Sequence, residues 1–274
     1  MNRLRTAKTT ALLAYLAVHP PHRFTRETLA DLFGSDMEYT RALNNLSVAL
    51  NALRHAFHGE QASPLLRSVR MIPERFMADV LEFEHALAIA KRAPETAIRY
   101  EQLSRAVHLY QGDFLPSVYD EWALQKAAAL QGECLAALEQ LTAVDLERGD
   151  TLQAQQWLQK TLRITPDDGD ALCHLAELYL QARQHEAAAQ VCRAWLAQRA
   201  EFAETALARR VATLLGEAYR RQGALERARE YLQESAALNR QMGRALALQK
   251  VNAAMDACTA PQASAHTPLP HDSA

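Results

Sequence analysis

The chain has 274 residues, 49% of them hydrophobic and 23% charged, with a formal net charge of -2. That is the composition of a globular protein with length for two domains, and it excludes a polycation. Only 9 glycines and 10 prolines punctuate a sequence dominated by alanine and leucine, so the chain reads as mainly α.

The charge is uneven. Residues 1–80 hold 10 Lys and Arg against 7 Asp and Glu, whereas residues 81–274 hold 20 against 25. A mildly basic front and an acidic rear suit a protein that meets nucleic acid at one end. Cys134, Cys173, Cys192 and Cys258 form no CxxC and no Cys/His ligand spacing, which points to a reducing, cytoplasmic setting. The apolar stretch from Ala11 to Val18 is too short to span a membrane and lacks a cleavage site, so neither secretion nor an anchor is expected.

Ala7 to Val18 is predicted as a helix, stopped by His19-Pro20-Pro21-His22 because proline cannot continue the hydrogen-bond ladder. Thr25 is the expected N-cap of a second helix, Arg26 to Phe33, with Leu29, Leu32 and Phe33 inward and Gly34 at its end. Ser35 and Glu38 have the spacing of a capping box for a third helix, from about Met37 to Phe57. Its apolar face is Tyr39, Ala42, Leu43, Leu46, Ala49, Leu50, Leu53 and Phe57. The opposite face carries Thr40, Arg41, Asn44, Asn45, Ser47, Val48, Asn51 and His55, with no acid. Asparagine is a poor helix former for a merely solvated face, but its amide pairs with adenine in the major groove, as arginine pairs with guanine. The candidate DNA-binding residues are therefore Arg41, Asn44, Asn45, Ser47 and Asn51. Arg54 sits at the edge of the apolar face, where it suits a bridge from helix to wing.

Leu65 to Ile72 partly alternates apolar and basic residues before Pro73. It reads as a strand pair, or wing, in which Arg67 and Arg70 would grip phosphate. Three helices and a basic hairpin make a winged-helix plan over residues 1–78. Residues 79–258 read as consecutive amphipathic helices with turns at Ala93-Pro94, Gln111-Gly112-Asp113, Arg148-Gly149-Asp150, Thr165 to Gly169 and Gln222-Gly223. Residues 259–274 have almost no large apolar side chain and are expected to be disordered.

A repeat runs through the second part. Gly149, Ala154, Leu158 and Pro166 align with Ala176, Tyr179, Arg183, Ala188 and Cys192 thirty-four residues on. They align again with Leu215, Gly216, Tyr219, Gly223, Ala228 and Leu232 after a six-residue extension. This is the tetratricopeptide pattern, with Arg183 where a turn glycine usually stands.

Residues 110–122, Tyr-Gln-Gly-Asp-Phe-Leu-Pro-Ser-Val-Tyr-Asp-Glu-Trp, closely resemble the opening signature of the bacterial transcriptional activator domain, Y-x-G-D-F-L followed by Y-D-x-W. Ala11 to Ala17, Thr25 to Leu32, and Arg41 to Leu46 with Leu53-Arg54 resemble the three helices of the winged-helix unit in the same proteins. Asp79 to Phe83 resembles the entry into the activator domain. Covering about residues 5–200 in the right order, these parts resemble the antibiotic-regulatory type of transcriptional activator. The resemblance implies promoter binding by the winged helix, with the helical domain aiding homo-oligomerisation and contact with RNA polymerase or another protein. Relatives usually carry a small sheet before the first helix. This chain begins almost on that helix, so part of the helix's apolar face is expected to lack a cover.

No catalytic constellation is expected. The His19/His22 pair lacks an acidic or cysteine partner for a metal. Cys173-His174 lies on a helix, where neighbours diverge by about 100°. Asp113 and Asp120 are better explained as helix caps, and Glu121 as an ion-pair partner. The absence of GxxxxGK[ST] argues against an ATPase. The arginines at 209, 210, 220, 221, 227 and 229 read as a salt-laced, solvated helix pair. No enzyme activity, cofactor or metal is predicted. The alternative to a DNA-binding activator is a tetratricopeptide adaptor that binds protein alone.

Overall fold

A computed structural model describes residues 7–19, 22–34, 37–58, 68–69, 78–198, 206–241 and 243–259. Twelve helices and one two-stranded ladder occur among them. The chain divides into two compact units, Met1–Val144 and Asp145–Ala274.

In the first unit, α1 (Ala7–Ala17), α2 (Arg26–Gly34) and α3 (Tyr39–His58) pack around a small core. Leu12, Leu16, Leu29, Ala30, Leu46 and Leu50 are buried at its centre. Helix α1 stops one turn before the prolines, where a ring nitrogen of His19 lies 2.7 Å from the Tyr15 carbonyl oxygen and donates to it. Thr25 is the N-cap of α2, its hydroxyl oxygen accepting from the Thr28 amide at 3.2 Å. Helix α2 ends on Gly34, which is buried against α3. A Cβ there would lie 2.5 Å from the Cβ of Ala42, closer than two carbons can stand.

Two details differ from the periodicity. Tyr39, expected inward, is 49% exposed; it opens α3, where the chain has not yet turned onto the core. The strand segment also pairs differently. Ser68–Val69 (β2) is antiparallel to Phe24–Thr25 (β1), with Phe24 opposite Val69 and Thr25 opposite Ser68. The described ladder therefore ties the chain after α3 to the bend before α2; residues 65–67 and 70–72 of the expected strand pair lie outside the described residues. Phe24 is buried in the helical core, which gives β2 an anchored neighbour to pair with.

Helices α4 (Asp79–Arg92), α5 (Thr96–Leu109) and α6 (Glu121–Arg148) follow. Phe83, Ala86, Leu87 and Ala90 of α4, Leu103, Ala106 and Val107 of α5, and Leu130, Cys134 and Leu138 of α6 are buried. Charge pairs Lys126–Glu84, Lys91–Glu133 and Arg105–Glu82 cross between the helices on their outer sides. Asp120 occupies the cap of α6, its carbonyl accepting from Ala123 and Leu124. Asp113, expected as a cap, lies instead within the loop between α5 and α6.

The second unit holds α7 (Thr151–Ile164), α8 (Gly169–Gln181), α9 (His185–Gln198), α10 (Ala206–Gln222), α11 (Leu225–Gln241) and α12 (Ala245–Thr259), each packed on the next in antiparallel pairs. Asp150 and Asp168 cap α7 and α8 by accepting from Gln153 and Ala171 amides at 3.1 and 2.9 Å. The repeat positions fall in one core: Ala154, Ala176, Ala188, Cys192, Leu215, Ala228 and Leu232 are all buried. A Cβ on Gly216 would meet Leu232 Cγ at 2.7 Å, which is why this helix pair needs a small residue there. Gly149, Arg183 and Gly223 take the same left-handed turn, at φ 77°, 59° and 82°. In each case the following amide (Asp150, Gln184 or Ala224) bonds five residues back, to Asp145, Tyr179 or Tyr219. That is a helix-ending Schellman turn, made here once by an arginine.

All four cysteines are buried and free. Burial pushes the Cys173 thiol up to about 11 and the Cys192 thiol up to about 12, which keeps both protonated and inert near neutrality. Among the described residues no helix is long and apolar enough to cross a membrane.

Candidate nucleic-acid interface

Helix α3 has twenty residues without an acid, glycine or proline. Ala42, Leu46, Leu50 and Leu53 are buried, with Leu43 and Ala49 packed beside them. At 100° per residue this anchors one side of the helix and leaves the other free. On the opposite side Arg41, Asn44, Asn45, Val48, Asn51 and His55 are exposed and fall on a single stripe. Val48 is 69% exposed at its centre.

The stripe is not uniform. Asn45 donates through Nδ2 to the Met37 sulfur at 3.3 Å. Ser47 is half-buried at the border: its hydroxyl donates to the Leu43 carbonyl at 2.7 Å and accepts from the Arg26 guanidinium of α2. Ser47 therefore faces its own scaffold more than solvent. Sequence spacing gave no sign of this, because the partner lies twenty-one residues upstream. At the start of α3 the Glu38 carboxylate accepts from the Thr40 hydroxyl and from the Thr40 amide, and these bonds, the hydroxyl's first, hold its pKa below the usual carboxylate value. The acid thus sits at the positive end of the helix dipole, before the first residue of α3. Arg67, Arg70 and the side chains of Arg54 and Phe57 lie outside the described residues, as does Ser35 of the expected capping box.

The apolar face of α1, expected in part to lack a cover, has one at Ala11. Ala11 is buried together with Val118 and Ala123, with Phe33, Leu115 and Trp122 packed around them. Apart from Phe33, the covering residues come from the segment 110–123, which holds the sequence signature. Next to this contact, a cavity of about 300 Å³ is bordered by Ala14 and Ala17 of α1, Val18 just after it, Phe83 of α4, and Leu115. The small side chains of α1 leave that space unfilled. His19 and His22 lie against Tyr15 and Phe24 with tilted rings, each at 4.5 Å between centroids.

In the second unit the expected arginine cluster is mostly neutralised. Arg220 and Arg221 share Glu217, Arg229 pairs with Glu226, and Arg210 reaches Asp170. Arg227 and Arg193 each lie 5.8 Å from the centre of the Tyr219 ring, which stacks on Tyr231.

Comparison with curated proteins gives no match. Among solved structures the chain is similar to MamA from Desulfovibrio magneticus RS-1, at 18% identity over 65% of this chain and 93% of that one, with a TM-score of 0.34. It is similar to BtubC from P. vanneervenii at 20% identity, over 72% and 95%, with a TM-score of 0.35. A putative kinesin light chain with nearly identical TPR-like repeats, from Podospora anserina, matches at 16% identity over 76% and 100%, with a TM-score of 0.38. Residues 210–242 match a tetratricopeptide repeat. Residues 78–199 match the bacterial transcriptional activator domain. With its signature and its helical repeat thus accounted for, the chain belongs to the proteins built on a bacterial transcriptional activator domain with tetratricopeptide-like helices.

Proposed function

We propose that the chain is a cytoplasmic, DNA-binding transcriptional activator without enzyme activity. In this reading residues 1–78 form a winged-helix domain. Helix α3 enters the major groove of promoter DNA, and residues 67–70 approach the backbone. Residues 79–258 present tetratricopeptide-like helices to RNA polymerase or another protein and support a homo-oligomer. The observation that carries the reading is the acid-free, amide-rich stripe of α3, exposed along its length while its leucines are fixed in the core. Arg41, Asn44 and Asn51 are the base readers; each good bidentate contact is worth about 1–3 kcal/mol of discrimination. The β1–β2 ladder supports the reading because it ties the chain leaving α3 to the base of α2, where a wing would begin.

The test is selection of bound duplexes from a random pool, followed by mobility shifts at two salt concentrations. An enriched motif is expected, with Asn44→Ala and Asn51→Ala losing discrimination at single positions while circular dichroism is unchanged. Arg67→Ala should weaken all sequences alike and flatten the salt dependence. No enrichment at low salt with folded protein sinks the reading. The tetratricopeptide match supports a second reading, an adaptor that binds protein alone; it would then stand.

A further inference from the structure

Helices α4, α5 and α6 border a half-open hollow of about 410 Å³ that the described side chains leave unfilled. Helices α4 and α6 run side by side in the same direction, because the pairs Glu84–Lys126 and Lys91–Glu133 advance together along both. Leu87 and Ala90 of α4, Leu103 of α5 and Ala137 of α6 are buried and form the floor of the hollow. Every bordering residue falls within 87–140, well inside the unbroken described run 78–198.

Gly132 stands in the interior of α6, on the wall of this hollow. Glycine weakens a helix relative to alanine through the freedom it loses on folding. At Gly34 and Gly216 that cost has a visible reason, since a Cβ there would strike a packed neighbour. A Cβ on Gly132 would meet no atom within 4 Å among the described residues. Its backbone is helical, so no left-handed turn calls for glycine either. Gly132 therefore keeps open a space that no described side chain enters.

The rim of the hollow is charged, and its charges do not balance. Lys91 pairs with Glu133 at 3.1 Å. Arg99 donates to the Ala93 carbonyl at 3.0 Å and has no ion pair among the described residues. Lys91 and Arg99 against Glu133 leave one surplus positive charge above an apolar floor. We propose that the hollow binds a small organic monoanion, a carboxylate with an apolar body. The body lies on Leu87, Leu103 and Ala137. The carboxylate accepts from the N–H groups of Arg99 that Ala93 leaves unused. A neutral ligand forgoes that charge-assisted bond, and a cation meets the surplus charge unfavourably. The volume lies at the low end of the range for small-molecule pockets, about 300–1,000 Å³. The site is confined to α4–α6 and does not depend on the DNA-binding reading.

The experiment titrates the full chain with octanoate, 1-octanol and octylammonium at constant ionic strength, below the concentration at which octanoate forms micelles. Calorimetric binding and melting temperature are followed. Saturable octanoate binding is expected, with a matching rise in melting temperature. Octanol should bind about tenfold or more weakly, and octylammonium more weakly still. Arg99→Gln should weaken octanoate by about tenfold and leave octanol unchanged, a loss of preference that a merely structural role would not produce. Gly132→Leu fills the hollow. It should abolish octanoate binding and leave the ligand-free melting temperature equal or higher, because leucine is the better helix former. No saturable octanoate binding, or Gly132→Leu titrating like the parent, overturns the proposal. So does a lowered ligand-free melting temperature in Gly132→Leu, since the space would then not be vacant. Octanol or octylammonium bound as tightly as octanoate refutes the anion, and tighter binding of a short peptide ending in leucine refutes the small-molecule source.

Discussion

Trp122 meets Tyr15 edge-on, with ring centroids 5.0 Å apart and planes at 79°. The same indole lies 6.4 Å from Phe33 and 6.2 Å from Phe114. The last residue of the activator-domain signature is therefore a packing partner of α1, and it helps close the apolar face that the sequence leaves open. Trp122→Ala should destabilise the first unit by about 3 kcal/mol, the usual scale for deleting a large aromatic. Trp122→Phe should cost less than about 1 kcal/mol, because it keeps the ring contact and removes a buried indole N–H that has no partner among the described residues. Urea unfolding followed by far-ultraviolet circular dichroism measures both. An alanine variant with the parent's midpoint would mean that the aromatic cluster contributes no stability.

Gly34 sets how closely α2 approaches α3. Gly34→Ala would drive its new methyl into Ala42 and push the helices apart, at a cost of about 1–3 kcal/mol. Ala42→Gly alone should cost about 1 kcal/mol through helix propensity. Together they should cost clearly less than the two singly, because the second substitution vacates the space that the first fills. Additive losses in a double-mutant cycle would show that the two sites do not meet.

Much of this arrangement is readable from spacing. The 3.6-residue period of α3 marks both its leucine face and its stripe, and the cap at Thr25 and the turns at Gly149 and Gly223 follow from residue type alone. Other features depend on partners distant in sequence. The β1–β2 ladder has two residues per strand, too short for any alternation to register, and its halves are more than forty residues apart. Ser47 looks like a base reader until Arg26 is placed beside it. Six of the arginines of α10 and α11, at 209, 210, 220, 221, 227 and 229, look equivalent in sequence, yet Arg210 finds an aspartate forty residues upstream while Arg209 has no ion pair among the described residues. Pattern identifies the faces of helices; it does not pair the charges on them.

The thiols of Cys173 and Cys192 should make the second unit sensitive to alkali. Both have folded values raised above the ordinary 9.0, to about 11 and about 12, by burial. A raised value favours the protonated form in the folded state. The associated stability is intact below about pH 9 and is lost as pH rises toward 11–12, where the unfolded chain gains thiolate and the folded chain resists it. Denaturant midpoints measured from pH 8 to 11 should fall, and Cys192→Ala should flatten part of that decline. A thiol reagent at pH 8 should leave both cysteines unmodified until the chain unfolds. Rapid labelling of either in the folded protein would contradict their burial.

Arg183 adopts φ 59° at a turn where Gly149 and Gly223 adopt 77° and 82°. A side chain in this left-handed region brings its Cβ against the carbonyl oxygen, at a cost of about 1–2 kcal/mol that glycine does not incur. Glycine gives back part of that gain through the greater freedom of the unfolded chain. Arg183 is exposed, so its replacement leaves no hole. Arg183→Gly should therefore stabilise the second unit by about 0.5–1 kcal/mol, raising the melting temperature by about 1–4 °C. Arg183→Ala separates the backbone effect from loss of the arginine itself, since alanine keeps the Cβ and should show no such gain. Equal gains in the two variants would place the cost in the side chain and not in the turn.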